Sequence, residues 1–193
     1  MKAKRGTILM TTGLLLLAAA LCLAGYNVWD EQRAAAAVTE VLAQVEPPAP
    51  SPEEPTPEYI LYPEMDMPTV EIDGNRYIGV VTIPALGLEL PVMSQWSDQA
   101  SRTAPCRYQG SAYTGDLIIA GHNYRSHFGS LKNLGVGDEV VFTDADGNVF
   151  RYTVAAVEIL DKTALEEMAA GDWALTLFTC TYGGQTRLTV RCI

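Results

Sequence analysis

Histidine and paired cysteine are what this chain has least of. It holds two histidines, His122 and His127, and four cysteines, Cys22, Cys106, Cys180 and Cys192, among 193 residues. No C-x-x-C pair occurs and no cysteine lies near the histidines in sequence, which excludes a zinc site of the finger or ribbon type. A domain of this size needs no disulfide framework. Cys22 falls in an apolar run, and a Cys106–Cys192 bridge is the one pairing left to consider, as a disfavoured alternative. Basic residues are also few, 13 against 23 acidic ones, and three of them, Lys2, Lys4 and Arg5, stand at the very start. Past that point ten basic residues face 23 acidic ones, a balance that argues against nucleic acid as a partner.

Charge is missing altogether from residues 7–29, whose core at 8–25 is rich in leucine and alanine. A helix of this length crosses a hydrocarbon layer of ~30 Å. The basic residues before it and Asp30 and Glu31 after it predict a single-pass span, with residues 1–6 in the cytoplasm and everything after Trp29 outside the cell membrane. A cleaved signal peptide is the alternative, disfavoured because the run exceeds a signal core of about 7–15 residues. A lipoprotein site at Cys22 is unconvincing, since Leu21 is not the small residue expected there.

Residues 30–45 are alanine-rich and predict a helical juxtamembrane segment. Residues 46–76 read as an acidic linker, with prolines at 47, 48, 50, 52, 55 and 57 that exclude a helix and favour an extended spacer of ~3.1 Å per residue. A chain beginning near Met67 is therefore expected to fold and act without its tether. The folded domain is expected over 77–193. Strand patterns fall at 77–83, 88–93, weakly at 107–108, then at 116–120, 139–143, 149–160, 174–180 and 188–193. The turn Asp144-Ala145-Asp146-Gly147-Asn148 joins two of them as a hairpin. Helical stretches are short, near 96–102, 129–134 and 163–170. About eight strands so spaced predict a mainly β fold, a closed or nearly closed eight-stranded barrel with a few short helices, behind an N-terminal transmembrane helix.

Three reactive side chains fall at strand ends. The run Ala174-Leu175-Thr176-Leu177-Phe178-Thr179-Cys180 stops on a thiol before a Gly183-Gly184 turn. The run Leu117-Ile118-Ile119-Ala120 leads through Gly121 to His122, and Arg187 opens the last strand. His122 is preferred to His127, which lies in a polar loop. Together the pattern Thr176-Leu177-Phe178-Thr179-Cys180, the histidine strand and Arg187, in that spatial logic and chain order, resemble the sortases, cysteine transpeptidases of Gram-positive surfaces. Further similarity runs through Ile78-Gly79-Val80-Val81-Thr82-Ile83-Pro84 and Leu90-Pro91-Val92.

The resemblance implies a sortase-type eight-stranded barrel and a catalytic set of His122, Cys180 and Arg187, with Thr179 helping to bind substrate. A thiol with an ordinary pKa of about 8.5 needs a nearby cation to become a nucleophile. Arg187 stays protonated, so it can bind an oxyanion but not act as a base. Arg191, four residues on and on the same face, is the competing arginine; the family's order favours Arg187. The implied substrates are an LPxTG-type C-terminal sorting signal of a surface protein and an amine of a cell-wall precursor or a pilin. No Asp-Pro-aromatic lid tripeptide precedes the barrel, and 160–174 is too short for a long helical insertion. No cofactor is expected; calcium, known in some sortases, has no assignable site, although Glu158, Asp161, Glu166 and Glu167 are at hand. The competing readings are a non-catalytic extracellular barrel that binds peptides or glycans, and a hydrolytic cysteine protease of another fold. Against the second, His122 precedes Cys180, the reverse of the papain order.

Overall fold

The computed structural model describes residues 2–45 and 56–193. The chain divides into two compact units, one up to Arg33 and one over Ala34–Ile193. Helix α1 (Lys2–Leu42) runs for 41 residues. Among the described residues it is the one helix long and apolar enough to cross a membrane.

The second unit is built on nine strands: β1 (Val70–Ile72), β2 (Asn75–Ile83), β3 (Leu88–Met93), β4 (Cys106–Gln109), β5 (Leu117–Gly121), β6 (Glu139–Asp144), β7 (Val149–Asp161), β8 (Leu175–Cys180) and β9 (Thr186–Cys192). Their order in the sheet is β1-β2-β3-β4-β5-β8-β9-β7-β6, and β6 pairs back onto β2. Eight strands, β2 to β9, thus close the barrel, and β1 is an added hairpin arm paired to β2 alone. Closure removes the open sheet edge. The eight-stranded barrel read from the strand spacing is the one observed.

Side-chain alternation explains the closure. In β6, Val140 and Phe142 are fully buried while Glu139 is exposed. The interior collects Val81, Leu90, Ile119, Leu177 and Val190 with them into one core, each such side chain contributing roughly 1.5–3 kcal/mol on burial. The hairpin turn between β6 and β7 is made by Asp144, which is buried and accepts hydrogen bonds from the amides of Asp146 (3.0 Å) and Asn148 (2.9 Å), from Asn148 Nδ2 (2.8 Å) and from the Tyr113 hydroxyl (2.7 Å). Gly79 sits where the barrel closes, with φ of 149°, and a Cβ there would meet the Thr143 carbonyl oxygen at 2.1 Å. Only glycine lets β2 and β6 come together at that point.

Two expectations need correction. First, packing begins well before Tyr77. The end of α1 contributes Val38 to the main core, and Val41 and Val45 join Ile72, Tyr77, Val80, Met93, Ala104 and Cys106 in a second cluster. Second, residues 46–55 lie outside the described residues, but the later part of the expected linker is packed. Met67 is buried, and Tyr59, in the single turn α2 (Glu58–Leu61), stacks on Tyr113 at 4.6 Å between ring centroids. A chain starting at Met67 therefore loses part of its core. Cys106 and Cys192 are both free and lie in different clusters, so the bridge disfavoured on the sequence is not formed. Burial pushes each of their thiols up to about 12. Of the predicted helices, those near 96–102 and 129–134 are single 3-10 turns at Ala100–Arg102 and Leu131–Asn133, and the third is α3 (Leu165–Ala169).

Candidate active site

Two pairings bring the chemistry to one rim of the barrel. Strands β5 and β8 run parallel, with Ala120 opposite Phe178 and Gly121 opposite Thr179. Parallel neighbours end on the same side, so the residue following β5, His122, and the last residue of β8, Cys180, arrive together. Strand β9 is antiparallel to β8 and sets Arg187 directly across from Cys180. His122, Cys180 and Arg187 all line one cleft of about 520 Å³.

Alternation along β8 assigns its faces. Leu175 and Leu177 point into the core, so Thr176, Phe178 and Cys180 point outward. Thr179 falls on the inner face: it is 2% exposed, its hydroxyl has no hydrogen-bond partner, and it does not line the cleft. Its expected role in binding substrate does not fit this geometry. Phe178, two residues before the thiol, takes the place on the outer face and lines the cleft in its stead. It packs edge-on against Tyr108 (5.4 Å), which meets Trp96 in the same manner (6.3 Å), so an aromatic row leads away from Cys180.

His122 is held on several sides. Its ring stacks on Tyr124 at 4.8 Å, and its carbonyl accepts the Phe128 amide at 3.1 Å. Phe128 is fully buried beneath Gly121, where a Cβ would lie 2.5 Å from its ring. Ser101 Oγ stands 3.4 Å from His122 Nε2 and donates its proton to the Asp98 carbonyl at 3.2 Å, so it meets the imidazole as an acceptor. His127 is fully buried, with neither ring nitrogen bonded, and burial, followed by the nearness of His122, lowers its pKa to about 4. It does not line the cleft, whereas His122 does.

Arg187 Nη1 donates to the carbonyls of Gly184 (3.1 Å) and Thr186 (3.2 Å), which fixes its guanidinium against the β8–β9 turn. A further wall, beside Arg187, comes from the end of β7 and the segment that follows it. There Asp161 accepts the Thr163 hydroxyl (2.6 Å) and amide (2.9 Å), which hold its carboxyl below the usual range, while Ala164 and Met168 supply apolar lining. Among the described residues no group of three or more His, Cys, Asp or Glu gathers as a metal would need. Of the four acidic residues considered for calcium, Glu158 is already paired with Arg191 at 2.7 Å. Sequence reasoning missed Ser101, Tyr108 and Met168. Phe178 was within reach, since it shares the parity of Cys180.

A closed eight-stranded barrel with a thiol, an imidazole and a guanidinium at one rim defines a cysteine-centred β-barrel. The chain belongs to the sortase family: the family's Sortase domain matches residues 81–193. It is 28% identical to Sortase A of Bacillus anthracis over 122 residues, which make up 60% of this chain and 57% of that protein, so it spans a little over half of that relative. The fold is similar to sortase C1 of Streptococcus agalactiae (TM-score 0.55, 25% identity, covering 74% of this chain and 77% of that one). It is also similar to Clostridium perfringens sortase C, a structure with the C-terminal cell wall sorting motif (TM-score 0.53, 20% identity, 60% and 69% covered).

Proposed function

We propose that the protein is a membrane-anchored cysteine transpeptidase that cleaves an LPxTG-like sorting signal and passes the acyl group to an amine of a cell-wall precursor or of another surface protein. The observation that carries this reading is the convergence of Cys180, His122 and Arg187 on one open cleft. The Cys180 thiolate attacks the scissile carbonyl carbon, and Arg187 donates to the oxygen as it becomes negative. His122, as imidazolium, gives its proton to the leaving amine as the C–N bond breaks. A thioester on Cys180 remains. The incoming amine then attacks it, His122 takes the amine's proton, and the thiolate leaves. Arg187 suits its role because its Nε and Nη2 bond to no protein acceptor among the described residues, whereas Nη1 anchors it to the turn.

The family membership, the solved sortase C with its sorting motif, and the apolar helix that can cross a membrane support this reading. Its test is mass spectrometry of the protein mixed with sorting-signal peptides, with and without an amine acceptor. An acyl adduct on Cys180, discharged by the amine, is expected. An adduct on Cys106 or Cys192, or none with any peptide of this class, would refute it.

A further inference from the structure

Arg191 is the charged side chain that this chemistry leaves unused. It is 2% exposed, and all three of its guanidinium nitrogens are engaged. Nε donates to Glu158 Oε1 (2.7 Å), Nη1 to the Met168 carbonyl (2.7 Å) and Thr176 Oγ1 (3.1 Å), and Nη2 to the Glu167 carbonyl (2.7 Å). These acceptors belong to β7, β8 and α3, so one planar fork ties two barrel strands to the helix that walls the cleft. Arg191 shares the outer face of β9 with Arg187 and Thr189, and Thr189 touches Met168 (Oγ1 to Sδ 3.9 Å). Helix α3 has little hold of its own. It is five residues long, and its N-cap, Ala164, has no side chain to cap with, whereas isolated helices need about 12–15 residues even to be marginal in water. Two of the four acceptors are carbonyls of its last turn; that of Glu167 also accepts the Ala170 amide at 3.3 Å.

We propose that Arg191 is a positioning residue: it pins the 164–170 wall against the barrel and thereby sets how tightly the cleft holds its peptide, without entering the chemistry at Cys180. This rests on the cleft being the peptide site. The division of labour follows from distance. Arg191 is four residues from Arg187 along the strand, about 13 Å at ~3.3 Å per residue, too far to reach an oxyanion formed at Cys180. A lysine keeps the charge but loses the fork, and one ammonium cannot serve Glu158, Thr176 and two carbonyls in that plane.

The test compares Arg191→Lys with the native protein in three measurements: steady-state kinetics on a sorting-signal peptide, alkylation of Cys180 by iodoacetamide, and amide hydrogen exchange over 164–170. We expect KM to rise about tenfold, kcat and the alkylation rate to stay within about threefold, and exchange in the wall to quicken. An unchanged KM with faster exchange overturns the proposal, and so does a fall in kcat with KM unchanged. If Arg191→Lys shows no cooperative unfolding, Glu158→Gln replaces it, keeping the three bonds to Thr176 and the carbonyls. A KM rise of about threefold is then expected, and an unchanged KM overturns the idea. Failure of the native protein to turn over any sorting-signal peptide would sink the functional reading alone. Hydrogen exchange then decides the clamp, and equal protection of 164–170 in both proteins refutes it.

Discussion

Cysteine, histidine and arginine each occur both at the rim of the barrel and inside the protein, and the two sets have opposite fates. At the rim, Cys180, His122 and Arg187 line an open cleft. Inside, Cys106 and Cys192 have thiols pushed up to about 12, His127 is held neutral, and Arg191 is fully engaged with a carboxylate, a hydroxyl and two carbonyls. Residue type is the same in each pair. What differs is cover: Cys106 and Cys192 also stand at strand ends, but they are fully buried, whereas Cys180 opens onto the cleft. Access to the cleft, and not residue type or strand position, therefore separates the two sets.

The largest effect expected is from Cys180→Ala, which should abolish acyl adduct formation, while Cys106→Ala and Cys192→Ala retain it; intact-mass measurement after exposure to peptide distinguishes them. Removing residues before Met67 comes next. It takes away Val38, Val41 and Val45, roughly 5 kcal/mol of burial at about 1.5–2 kcal/mol each, a large share of a typical domain's stability of about 5–15 kcal/mol. It also uncovers the cluster that holds Cys106. The shortened chain should unfold at much lower urea concentration, and Cys106 should become open to alkylation. If that thiol stays protected and stability is unchanged, the helix end plays no part in separating inert from reactive cysteines.

His127 should make folding acid-sensitive. Its pKa in the folded protein, about 4, lies below the ordinary 6.5, so the unfolded chain binds the extra proton first as pH falls. Stability is full above about 6.5 and declines between there and about 4, by at most about 3 kcal/mol. Urea unfolding at several pH values, native against His127→Phe, should show this decline only in the native protein. Slightly smaller is Arg187→Lys, expected to lower turnover about 100-fold, near 2.7 kcal/mol, by removing oxyanion donors while keeping the charge. Equal kinetic profiles for Arg187→Lys and Arg191→Lys would erase the distinction between rim and interior.

Much of this was legible in the sequence because it depends on local pattern. The bounds of β3 match the alternation read over 88–93, the Asp144 to Asn148 turn is where its acid, glycine and amide place it, and the glycine before His122 marks the strand end. The face of Thr179 was legible too, from its parity with Leu177, yet the family motif drew attention to its neighbourhood and not to its direction. What could not be read depends on contacts far apart in the chain. Ser101 reaches His122 through a fold in which β3, β4 and β5 come together, and Val41 is buried by residues 72–106 that no periodicity in α1 announces. Strand β1 is three residues long, below the length at which pattern speaks clearly. Arg191 read as a competitor of Arg187, because the contacts of its guanidinium with Glu158, Thr176 and the carbonyls of Glu167 and Met168 come from residues 15 to 33 positions away.

The parallel pairing of β5 with β8 has a further consequence, for the order in which the protein comes into being. Closing that pair must span β6, β7 and α3, a non-local step whose entropy is lost before its contacts form. Cys180 meets His122 only when this closure is made, and Arg187 only when the final strand is laid beside it. A nascent or half-assembled chain thus holds Cys180 apart from His122 and Arg187, and the proposed chemistry has to wait for both pairings.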